Sequence, residues 1–105
     1  MSGVSTHVLD TASGCPVANI AVQLFRDAEK VGDGTTNADG RCPALLPEGV
    51  VLQTGIYRIV FDLASRFPGG FYPEVCVSFR VVEPSANYHV PLLVSPFGYT
   101  TYRGS

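Results

Sequence analysis

Two histidines stand near opposite ends of this 105-residue chain, His7 in STHVLDTA and His89 in NYHVPLLVS, and there are no others. Imidazole ordinarily titrates near pH 6.5, so it can take up and return protons at neutrality. A pair in a chain so poor in histidine points to proton transfer, although each alone also reads as a surface or satisfied core residue of a strand. Arg41 follows Ala38-Asp39-Gly40. Its planar five-donor fork suits a flat, carbonyl-rich or anionic ligand, and by position alone it equally reads as a solvent-facing residue. The chain closes on Tyr102-Arg103-Gly104-Ser105, where most domains fray. A terminus with so many groups able to hydrogen-bond and stack is expected to be tied down and to form part of a site wall.

Other chemistries find little support. No Gly-x-Ser-x-Gly elbow precedes Ser105, so a conventional serine nucleophile is not indicated. Asp10 and Asp39 read as turn residues. GDG and PGG lack the strand-to-helix setting of a phosphate loop, and two histidines without a carboxylate cluster make a poor metal site. No cofactor is expected. Cys15, Cys42 and Cys76 are odd in number and in no C-x-x-C spacing, so they read as reduced thiols. With a formal charge of −2 and seven scattered basic residues, the chain offers no stripe for nucleic acid. Its apolar runs are too short to cross a bilayer and MSGVSTHVLD has no basic-then-apolar leader, so the expectation is a cytoplasmic protein without a membrane partner.

The elements that must carry these residues are short strands punctuated by eleven Gly and eight Pro. STHVLDTA sets Thr6 and Val8 against His7 and Leu9, and GCP then turns the chain. NIAVQLFR puts Ile20, Val22 and Leu24 on a core face. Ala38-Asp39-Gly40 reads as a hairpin turn opening a strand near Arg41. GIYRIVFDL alternates Ile56, Arg58 and Val60 against Tyr57, Ile59 and Phe61, and EVCVSFRVVE points Val75, Val77, Phe79 and Val81 inward. ASRFPGGFYP holds at most one turn of helix before Pro68. Pro91 inside YHVPLLVS predicts a bulge or a locally unpaired position, and GYTTYRG is a last strand. Seven or eight such strands predict one all-β domain over residues 1–105, a two-sheet antiparallel sandwich. Only 15% of residues are charged while 46% are hydrophobic, more apolar surface than a small monomer needs, which points to self-association.

Taken together, STHVLDTASGCPVANIAVQL, TTNADGRCPALL, GIYRIVFD, FYPEVCVSF and YHVPLLVSPFGYTTYRGS resemble the transthyretin-related 5-hydroxyisourate hydrolases of urate degradation. The most specific parts are the His of HVLD, the Arg of NADGR, the His of YHVPLL and the closing YRGS. The resemblance covers nearly the whole chain. It implies a transthyretin-like (prealbumin-like) sandwich assembled as a homotetramer, with active sites in a channel where two dimers meet. It also implies hydrolysis of 5-hydroxyisourate, by water attacking a ring amide, to 2-oxo-4-hydroxy-4-carboxy-5-ureidoimidazoline. His7, Arg41, His89 and Ser105 would then be catalytic, and His7, Arg41 and Tyr102 would bind substrate. Such chemistry needs an imidazole to deprotonate water and a cation to steady the oxyanion, with either histidine able to serve as the base.

Two departures stand out. Asn87 replaces a second His that many family members carry two positions before the HVPLL histidine, which argues that a His there is not essential. ASRFPGGFYP is also shorter than the family's short helix. The rival expectations are a non-catalytic transthyretin-like carrier of a small ligand, which would have no need of His7, Arg41 and His89, and a structural sandwich, which leaves the ending unexplained.

Overall fold

Alternation along the strands decides the layering. In the first, Val4, Thr6, Val8 and Asp10 are buried while the residues between them are only half covered, so even positions face the core and odd positions face outward. The computed structural model describes residues 3–105. Its strands are β1 (Gly3–Asp10), β2 (Cys15–Pro16), β3 (Ala21–Arg26), β4 (Glu29–Thr35), β5 (Arg41–Cys42), β6 (Gly55–Asp62), β7 (Glu74–Val81), β8 (Asn87–Ser95) and β9 (Gly98–Thr101). One sheet runs β2-β1-β8-β9 with β5 also paired to β1; the other runs β4-β3-β6-β7. Between them, Val8, Val22, Leu24, Ile59, Phe61 and Leu92 are completely buried.

The two-sheet β-sandwich is as the pattern predicts, with one difference in pairing direction: β1 and β8 run parallel, and every other strand pair is antiparallel. Local alternation shows which face of a strand is buried but not which way its neighbour runs. The alternation of β3, β6 and β7 holds, with Phe79 only half buried.

Three local expectations change. The first turn falls at residues 11–14, so Cys15–Pro16 already pairs back on β1, where Pro16 sits on a short edge strand that tolerates its missing donor. The Ala38-Asp39-Gly40 turn closes no hairpin, because β4 pairs with β3 and β5 pairs with β1, so the turn carries the chain from one sheet to the other. Strand β4 was hidden by its glycines, which read as turn residues. A Cβ on Gly32 would collide with the Leu45 carbonyl and one on Gly34 would lie 2.5 Å from Cys42 Sγ, so these glycines let the chain after β5 pack against the strand. No helix forms in 64–70: one turn closes by Phe67 N–H donating to Leu63 O at 2.9 Å before Pro68 ends it.

At Pro91 the expectation of a local gap is met on one side only. The β1–β8 register is continuous through His7↔Pro91. On the other side, the β8–β9 ladder stops at Leu92↔Thr101 and returns as a single bridge, His89↔Gly104. Period-two alternation makes the Pro91–Tyr102 position one where both residues would exchange hydrogen bonds, and proline cannot donate its share.

Candidate active site

Arg41 is delivered by a turn that Asn37 ties together. The Asn37 side-chain carbonyl accepts hydrogen bonds from the N–H of Asp39 and of Arg41, both at 3.0 Å, and the Asn37 backbone N–H donates to Arg41 O at 2.9 Å. Gly40 O then accepts from Val8 N at 2.7 Å, which docks the turn on β1 and sets Arg41 opposite His7. The His7 ring lies 2.9 Å through Nε2 from Asp39 O. A carbonyl only accepts, so Nε2 carries the proton and Nδ1 is the bare nitrogen of neutral His7. Asp39 is the turn former expected of it. Asp10 likewise caps its turn through Ala12 N, and it pairs with Arg66 at 2.6 Å.

The parallel pairing brings the second histidine to the same face. Ser5↔His89 and His7↔Pro91 are in register, so both imidazoles stand on the outward side of one sheet, one step apart along adjacent strands. Ser5 Oγ lies 2.8 Å from His89 Nδ1. On the opposite ring edge lies Gly104, whose N–H donates to His89 O at 2.7 Å and whose missing side chain leaves room for Cδ2 and Cγ. Burial pushes the His89 pKa below the usual 6.5, and the positive charge of Arg41, with that of His7 whenever it is protonated, adds to that. His89 is therefore neutral at pH 7, the form in which it can accept a proton.

Arg41, His89 and Ser105 line a single cleft of about 620 Å³ together with Ser5 and Asn87, and the segment from Pro43 to Val50 forms its other wall. His7 shares the outward face but not the lining, since its ring is turned onto the Asp39 carbonyl. Tyr102 lines a separate hollow of about 280 Å³ beside Phe79 and Tyr88, which His89 also borders. The tail is anchored there: the Arg103 guanidinium stacks 4.8 Å from the Tyr88 ring centroid, and the Tyr88 hydroxyl accepts from Val82 N and Glu83 N. Cys42, adjacent to Arg41, points into the core. Burial there raises its pKa, so it stays a neutral thiol and does not tune the cleft.

Ser5 and Asn87 in the cleft lining, and Gly104 against the His89 ring, are absent from the candidates taken from sequence. Ser5 sits two positions from His7 and so on its face by strand periodicity, the one signal that marks it. Asn87, the departure from the family pattern, lies in the lining two residues before His89. Gly104 was noted only as part of YRGS. Among the described residues, no three His, Cys, Asp or Glu side chains converge to hold a metal ion. The cleft thus gathers a neutral imidazole, a guanidinium and a hydroxyl, a set able to deprotonate water beside a planar group and to steady the oxyanion that results.

Known proteins are similar to this chain over nearly its whole length. The HIUase/Transthyretin family pattern covers residues 4–104. A 5-hydroxyisourate hydrolase of Ralstonia nicotianae is 42% identical, with all of both chains covered. The solved structure of Klebsiella pneumoniae 5-hydroxyisourate hydrolase superposes with a TM-score of 0.88 at 31% identity, again over 100% of each chain. Sea bream transthyretin in complex with thyroxine superposes with a TM-score of 0.85 at 27% identity, covering 96% of this chain and 93% of that one.

Proposed function

The chain belongs to the HIUase/transthyretin family, and from that premise we infer that it is a hydrolase acting on 5-hydroxyisourate in urate degradation. The product is 2-oxo-4-hydroxy-4-carboxy-5-ureidoimidazoline. The observation that carries the reading is the single cleft lined by Arg41, His89 and Ser105, on a chain 42% identical to a hydrolase of that name.

We assign the roles as follows. His89 Nε2 takes a proton from water as the water oxygen bonds to the ring amide carbon. The oxyanion forms beside the Arg41 guanidinium, whose donors also grip the flat substrate. Collapse of the intermediate breaks the C–N bond, the departing nitrogen takes up the proton, and the ring opens to a carboxylate; the net change is addition of one water. Ser105 orients water and ligand from the tail. His7, with Nδ1 bare, shares the proton transfers, and Tyr102 holds the substrate.

His7 and Tyr102 stand outside the lining of the cleft in one copy. We place them in the site through assembly as a homotetramer, with the sites in a channel where two dimers meet. The apolar side chains left exposed support this: among them Phe97 is 76% exposed, Val51 72% and Phe71 69%. Three unpaired thiols fit the reducing cytoplasm, where we place the protein.

Transthyretin, with its thyroxine complex, makes a carrier the natural rival, and the polar, proton-active cleft sets this chain apart from a carrier. The test is the ultraviolet decay of freshly made 5-hydroxyisourate. The parent is expected to accelerate it, and Arg41→Lys to lose roughly a hundredfold in rate, the cost of one misaimed oxyanion donor. A parent that leaves the spontaneous decay unchanged would return the chain to the carriers.

A further inference from the structure

We propose that Ser5 is a positioning residue for this hydrolysis: its Oγ accepts the Nδ1 proton of His89, so that the neutral ring presents a bare Nε2 to the cleft. The inference rests on the role of His89 as the base. It starts from register. Eight consecutive parallel pairs, from Gly3↔Asn87 to Asp10↔Val94, run without a shift, and they fix Ser5 beside His89 on one face of the sheet. The 2.8 Å contact between Oγ and Nδ1 follows from that placement. Gly104 closes the opposite edge of the ring; a Cβ there would lie 3.1 Å from Cγ and overlap Cδ2. The imidazole is thus held between a hydroxyl and a peptide. Nε2 bonds no described residue and is not sealed in the interior, and the ring is part of the cleft lining.

A hydroxyl can donate or accept, so the contact alone leaves the tautomer undecided. The proposed base role decides it. A ring that takes the proton of water on Nε2 must have that nitrogen bare when neutral, and Arg41, in the lining of the same cleft, has only donors and offers Nε2–H no acceptor. The proton therefore sits on Nδ1, and Ser5 is the acceptor that holds it. When His89 takes the proton of water the ring becomes cationic and its bond to Ser5 strengthens, so the hydroxyl supports the charge that develops during the reaction.

Histidine labelled with ¹⁵N tests this cleanly, because the chain has two imidazoles to resolve. In the parent at neutral pH, His89 should show a protonated Nδ1 and a bare Nε2. Ser5→Ala should lose that preference and lower kcat about tenfold with KM little changed, whereas Ser5→Thr, which keeps the hydroxyl, should retain both. An active parent with its His89 proton on Nε2 overturns the role of Ser5. So does a Ser5→Ala protein of unchanged tautomer and rate, or a Ser5→Thr protein no better than Ser5→Ala. A parent that does not hydrolyse 5-hydroxyisourate overturns the hydrolase reading instead, whatever tautomer it shows.

Discussion

The two halves of β8 are built in different ways. From Leu92 to Val94 the strand is paired on both sides, to β1 through Leu92↔Val8 and its successors and to β9 through Leu92↔Thr101 and its successors, with Leu92 and Val94 buried. From Asn87 to Pro91 the β1 side stays in register, while on the other side the ladder lapses at Val90–Pro91 and returns as the single His89↔Gly104 bridge. The first half is scaffold. In the second, Pro91 withdraws a donor, and the tail is held by Arg103 on Tyr88 and by one backbone bond, which leaves Ser105 free to reach the cleft. With the proposed role of His89, one strand serves both stability and chemistry, and the change of use falls at its proline.

The contrast breaks first at the tail. Removing residues 102–105 takes away Gly104 and Ser105 but no residue of β9, so turnover should vanish while the thermal transition stays within a few degrees of the parent; a truncated protein that still turns over substrate would erase the distinction. Leu92→Ala probes the other half. It empties a fully buried position and should cost about 2–5 kcal/mol of stability. Folded molecules should nonetheless keep kcat near the parent's, as a denaturant titration paired with initial rates would show. The smallest effect is in pH. Because the cleft lowers the His89 pKa, the acid limb of kcat/KM should fall at a pH below 6.5, and stability should decline as pH drops from about 6.5 toward that lowered value, where the unfolded chain binds the proton more readily. A limb centred above 6.5 would place the titrating group elsewhere.

Much of this was legible in the sequence, for reasons that can be named. Period-two alternation shows through in β1, β3, β6 and β7 because one face of each is buried. His7 and His89 stood out because histidine is scarce in this chain, and Arg41 stood out only through the NADGR resemblance. What the sequence hides is pairing. Nothing local shows that β1 and β8 run parallel over 84 residues of separation, and that pairing alone brings Ser5 to His89. The glycines of β4 mislead because they serve close packing against Leu45 and Cys42, yet have the composition of a turn. Tyr102 and His7 were expected in the site with the others; one copy puts neither in the lining of the cleft, Tyr102 lining the separate hollow and the His7 ring lying against the Asp39 carbonyl.

In the proposed mechanism a neutral His89, lining one cleft with Arg41, takes the proton of the attacking water. The decisive measurement is the rate of 5-hydroxyisourate decay at neutral pH with the parent and with His89→Asn, which keeps a polar side chain of similar size but cannot accept a proton to form a cation. A loss on the order of a hundredfold or more is the predicted result. A His89→Asn protein that works within threefold of the parent would contradict it.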